Sequence, residues 1–218
     1  MPRPGKRRLT RERIVGAALA LADDEGLEAL SMRRLARDLE VDPMSLYNHV
    51  SSKGDLMEGV VELLIQQAQL PTEAIPWDQW ARTSAQRLRD LSQAHPRAFP
   101  VLALHGISAG EVLRPFEAFV DSLVRAGFPI EMCWELVQAF VGFTVAFALA
   151  AVEPAMFPEA TVGARTTVPD LSAEFPRLRE MTALSPPPRH IAVFNAGLEL
   201  IIEGMRVRLR QARRQRPR

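Results

Sequence analysis

Apolar residues recur at three- and four-residue intervals along almost the whole chain, so nearly every segment reads as an amphipathic helix. Ile14, Ala18, Leu21 and Ala22 form one stripe behind Thr10, whose hydroxyl suits a helix cap, and Gly26 suits the stop. Ser31 can cap a short second helix that turns Leu35, Ala36 and Leu39 inward. The connection Leu39 to Asp42 leads to a third short helix over Pro43 to His49, where proline fits the first turn. Ser52-Lys53-Gly54-Asp55 has the character of a capping box and opens a fourth helix running to about Gln69. Beyond the break at Pro71–Pro76, the spacing predicts helices at about 77–94, 97–105, 111–126, 130–153 and 188–210. The proline-bearing stretch 154–187 reads as a long loop with at most one short helix near 175–183. Neither a period-two strand nor a repeat is visible. The expected fold class is all-α: an N-terminal three-helix unit and a larger helical domain.

The most apolar run, Leu136 to Val152, is interrupted by Gln138 and Thr144 and flanked by Glu135 and Glu153. Membrane anchors would be cations at those flanks, so a buried helix is the better reading and no membrane partner is expected. The basic N-terminus is not followed by the apolar stretch of a secretory signal. Cys133 is the single cysteine, which excludes an intrachain disulfide and an all-cysteine zinc site. With His95, His105 and His190 scattered, no metal site and no cofactor are expected.

The net charge of +1 conceals an asymmetry. Residues 1–13 carry +5, residues 206–218 carry seven arginines and no acid, and the body between them is acidic. Basic ends attract polyanions through counterion release; solvated, frayed tails are the alternative. The expected organisation is a basic arm over 1–9, a three-helix unit over 10–55, a larger helical domain over 56–210, and a basic tail over 211–218.

Residues 31–50 have helix-turn-helix spacing. Two apolar seams meet, Leu35, Ala36 and Leu39 against Val41, Leu46 and Val50, which leaves Asp42, Pro43, Met44, Ser45, Tyr47, Asn48 and His49 outward. A helix of this size fits the major groove of B-DNA, about 12 Å wide, although an ordinary helical hairpin has the same spacing. The residues themselves are more specific. Glu25-Gly26-Leu27, Ser31-Met32-Arg33-Arg34-Leu35-Ala36 and Leu46-Tyr47-Asn48-His49-Val50 followed by Lys53 resemble the TetR family of bacterial transcriptional regulators. More weakly, the segment Phe194 to Gly204 resembles the regulatory domain of tetracycline-repressor-like members.

The resemblance implies a DNA-binding transcriptional regulator in the bacterial cytoplasm, associated with the nucleoid, with repression as the family default. It implies a double-stranded operator, a small-molecule effector and a second copy of the chain as partners. Arg33 stands where such proteins place a guanine-reading arginine, whose planar fork matches O6 and N7. Pro43 and Met44 offer apolar contact to a thymine methyl, Ser45 a contact to base or phosphate, and Asn48 an amide for adenine. Pro43-Met44 and Asn48 depart from the tetracycline-repressor-like pattern, so no operator sequence carries over. Tyr47 and His49 can hydrogen-bond phosphate oxygens, and Lys53 in the first turn of its helix calls for an adjacent anion. Thr10 and Ser31 could share their hydroxyls with phosphate, and the bases at 3–8 could follow a minor groove.

Semi-polar residues on apolar faces are the candidate effector contacts: Trp80, Ser84, His105, Trp134, Gln138 and Thr144. The helices at 130–153 and 188–210 are the candidate dimer seam, with Gly142, Ala146, Phe194, Gly197, Leu198 and Ile201 in it. No triad spacing, glycine-rich phosphate loop or HExxH string is present, so an enzyme is not expected. A nonspecific nucleic-acid binder driven by the arginine-rich ends is the other alternative, and a helical enzyme a more distant one.

Overall fold

In a computed structural model the described residues are 8–105, 113–156, 175–183 and 190–215, and among them there is no strand. The chain folds as α1 (Arg11–Glu25), a short 3-10 turn (Leu27–Ala29), α2 (Met32–Asp38), α3 (Pro43–Tyr47), α4 (Lys53–Ala68), α5 (Trp77–Ala94), α6 (Val101–Leu104), α7 (Arg114–Ala126), α8 (Ile130–Met156), α9 (Pro176–Ala183) and α10 (His190–Gln215). The all-α class is confirmed.

The caps are local chemistry. The Thr10 hydroxyl accepts the Arg13 N–H, Ser31 accepts that of Arg34, and Ser52 accepts that of Asp55. Asp42 caps α3 by accepting the Met44 N–H at 2.8 Å, with Pro43 in the first turn. Gly26 ends α1 at φ 89°, a backbone region closed to most side chains.

Two apolar clusters form the core. The first joins Ile14, Ala18 and Ala22 of α1, Leu35 and Ala36 of α2, Leu46 of α3 and Leu56, Val60 and Leu64 of α4. It continues into Leu88 and Leu91 of α5, Phe99, Val101 and Ala148 of α8, so the N-terminal head and the larger domain share one interior. The second gathers Trp80, Phe119, Phe140, Phe194, Ile202 and Met205. Trp80 stacks on Phe119 with ring centroids 4.2 Å apart, and Phe140 meets both edge-on or tilted. The α8 segment Ile130–Ala150 is long and apolar enough to cross a bilayer. Here Cys133, Leu136, Phe140, Thr144 and Ala148 form a buried stripe on the side of α8 that packs against α5, α7 and α10, while Ile130 and Trp134 stay exposed.

Several element bounds differ from expectation. The helix expected over 97–105 is confined to Val101–Leu104, because Pro100 has no N–H to donate to the carbonyl four residues back. The helix α8 does not stop at 153 but runs on to Met156. The C-terminal helix does not stop at 210 but runs to Gln215, because Leu209 and Ala212 are buried and Arg213 donates to the Ala126 carbonyl at 2.7 Å. The short helix near 175–183 is present as α9, and most of the proline-bearing stretch before it lies outside the described residues. The border drawn between 55 and 56 falls inside α4, whose Leu56 and Leu64 belong to the core shared by head and body.

Candidate nucleic-acid interface

Burial of Leu35, Ala36, Leu46 and Val50 fixes α2 against α3 and leaves the rest of α3 facing solvent. The connection is tight: the Val41 N–H donates to Ala36 O at 3.0 Å, and Glu40 adopts φ 54°. Met44 is 71% exposed and Tyr47 46%, which is unusual for side chains of that size. Pro43, Asn48 and His49 are exposed beside them, and Ser45 is half-buried. Lys53 opens α4 and is also exposed.

Arg33 and Arg34 have different surroundings although adjacent. Arg34 donates to Glu25 at 2.6 Å and to Asp38 at 3.1 Å, so it ties α2 to the end of α1. Arg33 is exposed and makes no ion pair with the described residues. Arg37, one turn on, is exposed in the same way and was missed by the sequence reading; its i,i+4 spacing from Arg33 was the available signal. Thr10 accepts the Arg13 N–H, and its hydroxyl helps hold the Glu12 carboxyl below its usual range, after Glu12's own backbone N–H. Its capacity for phosphate is therefore partly spent. Ser31 is exposed and uses one lone pair on its cap. Of the basic arm, residues 1–7 lie outside the described residues.

The head is braced from behind. The Asp55 carboxylate accepts the Ser51 N–H at 2.7 Å, the Ser51 hydroxyl at 3.1 Å and the Arg11 guanidinium at 2.8 Å. These partners, the Ser51 N–H foremost, hold its carboxyl below the usual carboxylate range. Gly59 lets α1 and α4 cross closely: a Cβ there would lie 2.6 Å from Val15 Cγ2.

In the larger domain a cavity of 630 Å³ opens between α6, α7 and α8. Leu102, Phe116, Val120, Trp134, Val137 and Val141 line it, with the Gln138 amide and the Cys133 thiol as polar groups. Burial and the nearby Glu131 push the Cys133 thiol up, so it is a neutral group there. Of the six expected contacts, Trp134 and Gln138 line this cavity. Trp80 does not: it is core, and its indole N–H donates to the Pro71 carbonyl at 2.9 Å. His105 is half-buried and is not part of the lining. Ser84 and Thr144 are fully buried away from it, and neither hydroxyl has a partner among the described residues. No group of three His, Cys, Asp or Glu among the described residues could hold a metal.

The expected dimer seam divides likewise. Gly142 and Ala146 are exposed on α8. Phe194 and Leu198 are not: they are buried within their own chain, because α10 packs antiparallel on α8 with Phe194 stacked on Phe143. Gly197 serves the same internal contact, since a Cβ there would lie 2.6 Å from the Phe143 ring, and Ile201 is half-buried in that cluster. Leu200, 75% exposed, faces outward and was not anticipated.

The match to known proteins follows this division. Residues 14–60 fit the family described as bacterial regulatory proteins, tetR family, and residues 70–209 fit the tetracyclin repressor-like C-terminal domain. The chain belongs to the TetR family. It is 32% identical over 143 residues to the class E tetracycline repressor of Escherichia coli, spanning 63% of this chain and 66% of that one. An HTH-type transcriptional regulator of Saccharopolyspora erythraea is 33% identical over 121 residues, so the matched part spans about half of that protein, 51%, and 55% of this chain. Apo ActR of Streptomyces coelicolor superposes with a TM-score of 0.78 at 27% identity, covering 94% of this chain and 98% of ActR. ActR has also been solved with actinorhodin bound, at a TM-score of 0.74 and 28% identity over 91% of this chain and 96% of that one. This TetR-family chain is thus a transcriptional regulator, and its relatives are regulators rather than enzymes.

Proposed function

We propose that this TetR-family protein is a repressor that binds a palindromic operator as a homodimer and is released by a small apolar effector. The observation that carries this reading is the exposed set Arg33, Met44, Tyr47, Asn48, His49 and Lys53, mounted on a helix pair whose inner residues are fully buried. Tyr47, His49 and Lys53 hold phosphates and set the register, while Arg33, Met44 and Asn48 face base edges. Pro43 adds apolar contact, and Ser45, Ser31 and Thr10 lie at the margin of the footprint.

One head contacts few base pairs, and a two-fold pair places two half-sites about 34–36 Å apart. The exposed small and apolar residues Ala139, Gly142 and Ala146 of α8 and Val193, Leu200 and Gly204 of α10 form the face for that pairing, as a four-helix bundle. The effector enters the cavity beside Trp134. Its walls favour an uncharged, largely apolar molecule with a hydrogen-bonding group for Gln138. The shared core through Val101 and Ala148 lets occupancy of the larger domain favour one head position over another.

Selection of random duplexes by the purified protein tests the reading. A palindrome enriched by at least about 10³ over scrambled DNA is expected. Equal binding to all duplexes would support a nonspecific binder instead.

A further inference from the structure

We propose that the C-terminal end of α10 is a second polyanion-binding surface, fitted to the phosphate backbone of a duplex other than the one at the head. Its position comes from the helices that carry it. At its C-terminal end α5 meets the head, where His95 Nδ1 lies 2.7 Å from Asp23 Oδ2 of α1. At its other end Trp77 packs edge-on against Phe128, beside the Ala126 carbonyl that accepts from Arg213. The 18 residues of α5 put about 27 Å between these two ends. The helix α10 runs the same distance, from Phe194 on Phe143 to Arg213 on Ala126. Its arginines therefore stand at the pole away from α3 and cannot reach the duplex that α3 faces.

The charge there is largely unanswered. Arg206 is paired with Asp78 at 2.8 Å and with Glu203, and Arg208 reaches Glu135 at 3.4 Å. Arg210 and Arg214 are exposed and make no ion pair with the described residues, and Arg213 spends one N–H on a carbonyl. Spacings of three and four residues put these last three guanidinium groups on one face. No acid follows Glu203 in the sequence. Planar guanidinium forks suit phosphate oxygens. A lipid surface fits less well, because Leu209 and Ala212 are buried in the protein and leave Val207, 42% exposed, as the apolar side chain beside these arginines, too little to insert.

The test uses the full chain and random-sequence duplex, with complexes sized by sedimentation. Complexes holding two duplexes are expected. R210A/R214A should reduce them at least about tenfold and lower the salt slope of the second binding by about 2. One-duplex complexes and the thermal melt should stay unchanged. R33A/K53A should weaken the other class. If the head bound nothing, R210A/R214A would abolish all DNA binding, which would sink the head assignment and keep this one. Absence of two-duplex complexes, or their survival in R210A/R214A, overturns the proposal. So does binding to phosphatidylglycerol vesicles under conditions where no second duplex is held.

Discussion

His95 Nδ1 lies 2.7 Å from the Asp23 carboxylate, and Nε2 of the same ring lies 2.7 Å from Gln67 Oε1. One side chain at the end of α5 thus holds both the end of α1 and the end of α4. Arg97, two residues on, donates to the Asp24 carbonyl. The joint between head and body is therefore polar at this edge and apolar beneath it. His95→Ala should free the last turn of α1 while leaving the core intact. Removing a bond to a carboxylate costs about 1.5–3 kcal/mol. Amide exchange at Ala22 to Glu25 should speed up at least about tenfold, with exchange in α8 unchanged; equal protection would show that the clasp holds nothing.

Arg33 and Lys53 should separate reading from holding. Arg33→Ala should cost about 1–3 kcal/mol on the selected operator and relax choice at one base position. Lys53→Ala should weaken all sequences alike and reduce the salt slope by about 1. Binding isotherms on operator and scrambled duplexes at two salt concentrations decide between these roles.

Glu40 sits at φ 54° in the turn between α2 and α3, a conformation that costs a side chain about 1–2 kcal/mol. Glycine relieves that strain but adds freedom to the unfolded chain. Glu40→Gly should therefore gain only about 0.5–1 kcal/mol, seen as a melting temperature a few degrees higher.

Asp55 sets a pH dependence. Its carboxyl is held below the ordinary range by the Ser51 N–H and the Arg11 guanidinium, so the unfolded chain binds its proton more tightly than the folded one. The stabilisation is complete above the ordinary carboxylate value of about 4 and fades as pH falls through the lower folded value. Asp55→Asn should flatten this part of the stability–pH curve. Denaturant midpoints measured between neutral and acid pH would show it, and an unchanged curve would exclude the pair as its source.

Gly59 is a packing constraint. Valine there would drive its branches into Val15 Cγ2 at the crossing of α1 and α4. Gly59→Val should cost about 1–3 kcal/mol in thermal melts and weaken DNA binding by tilting the head.

Much of this was legible in the sequence because it is local. Thr10, Ser31 and Ser52 cap the helices they precede, and Leu35, Leu46 and Val50 read directly as the seam of the helix pair. The outward set on α3 follows from that seam by helical periodicity alone. Other features needed neighbours far along the chain. Trp80 looks the same in sequence whether it lines a cavity or stacks on Phe119; only the position of α7 decides. Phe194 and Leu198 belong to the inside of one chain because α10 lies antiparallel on α8, which leaves Leu200 for the outside. The sequence alone determined most of the helices, the caps at Thr10, Ser31 and Ser52 and the outward face of α3, since each depends on residues within a turn or two. The tertiary structure alone decided the cavity, the His95 clasp and the far placement of Arg213, since each exists only where separate helices meet.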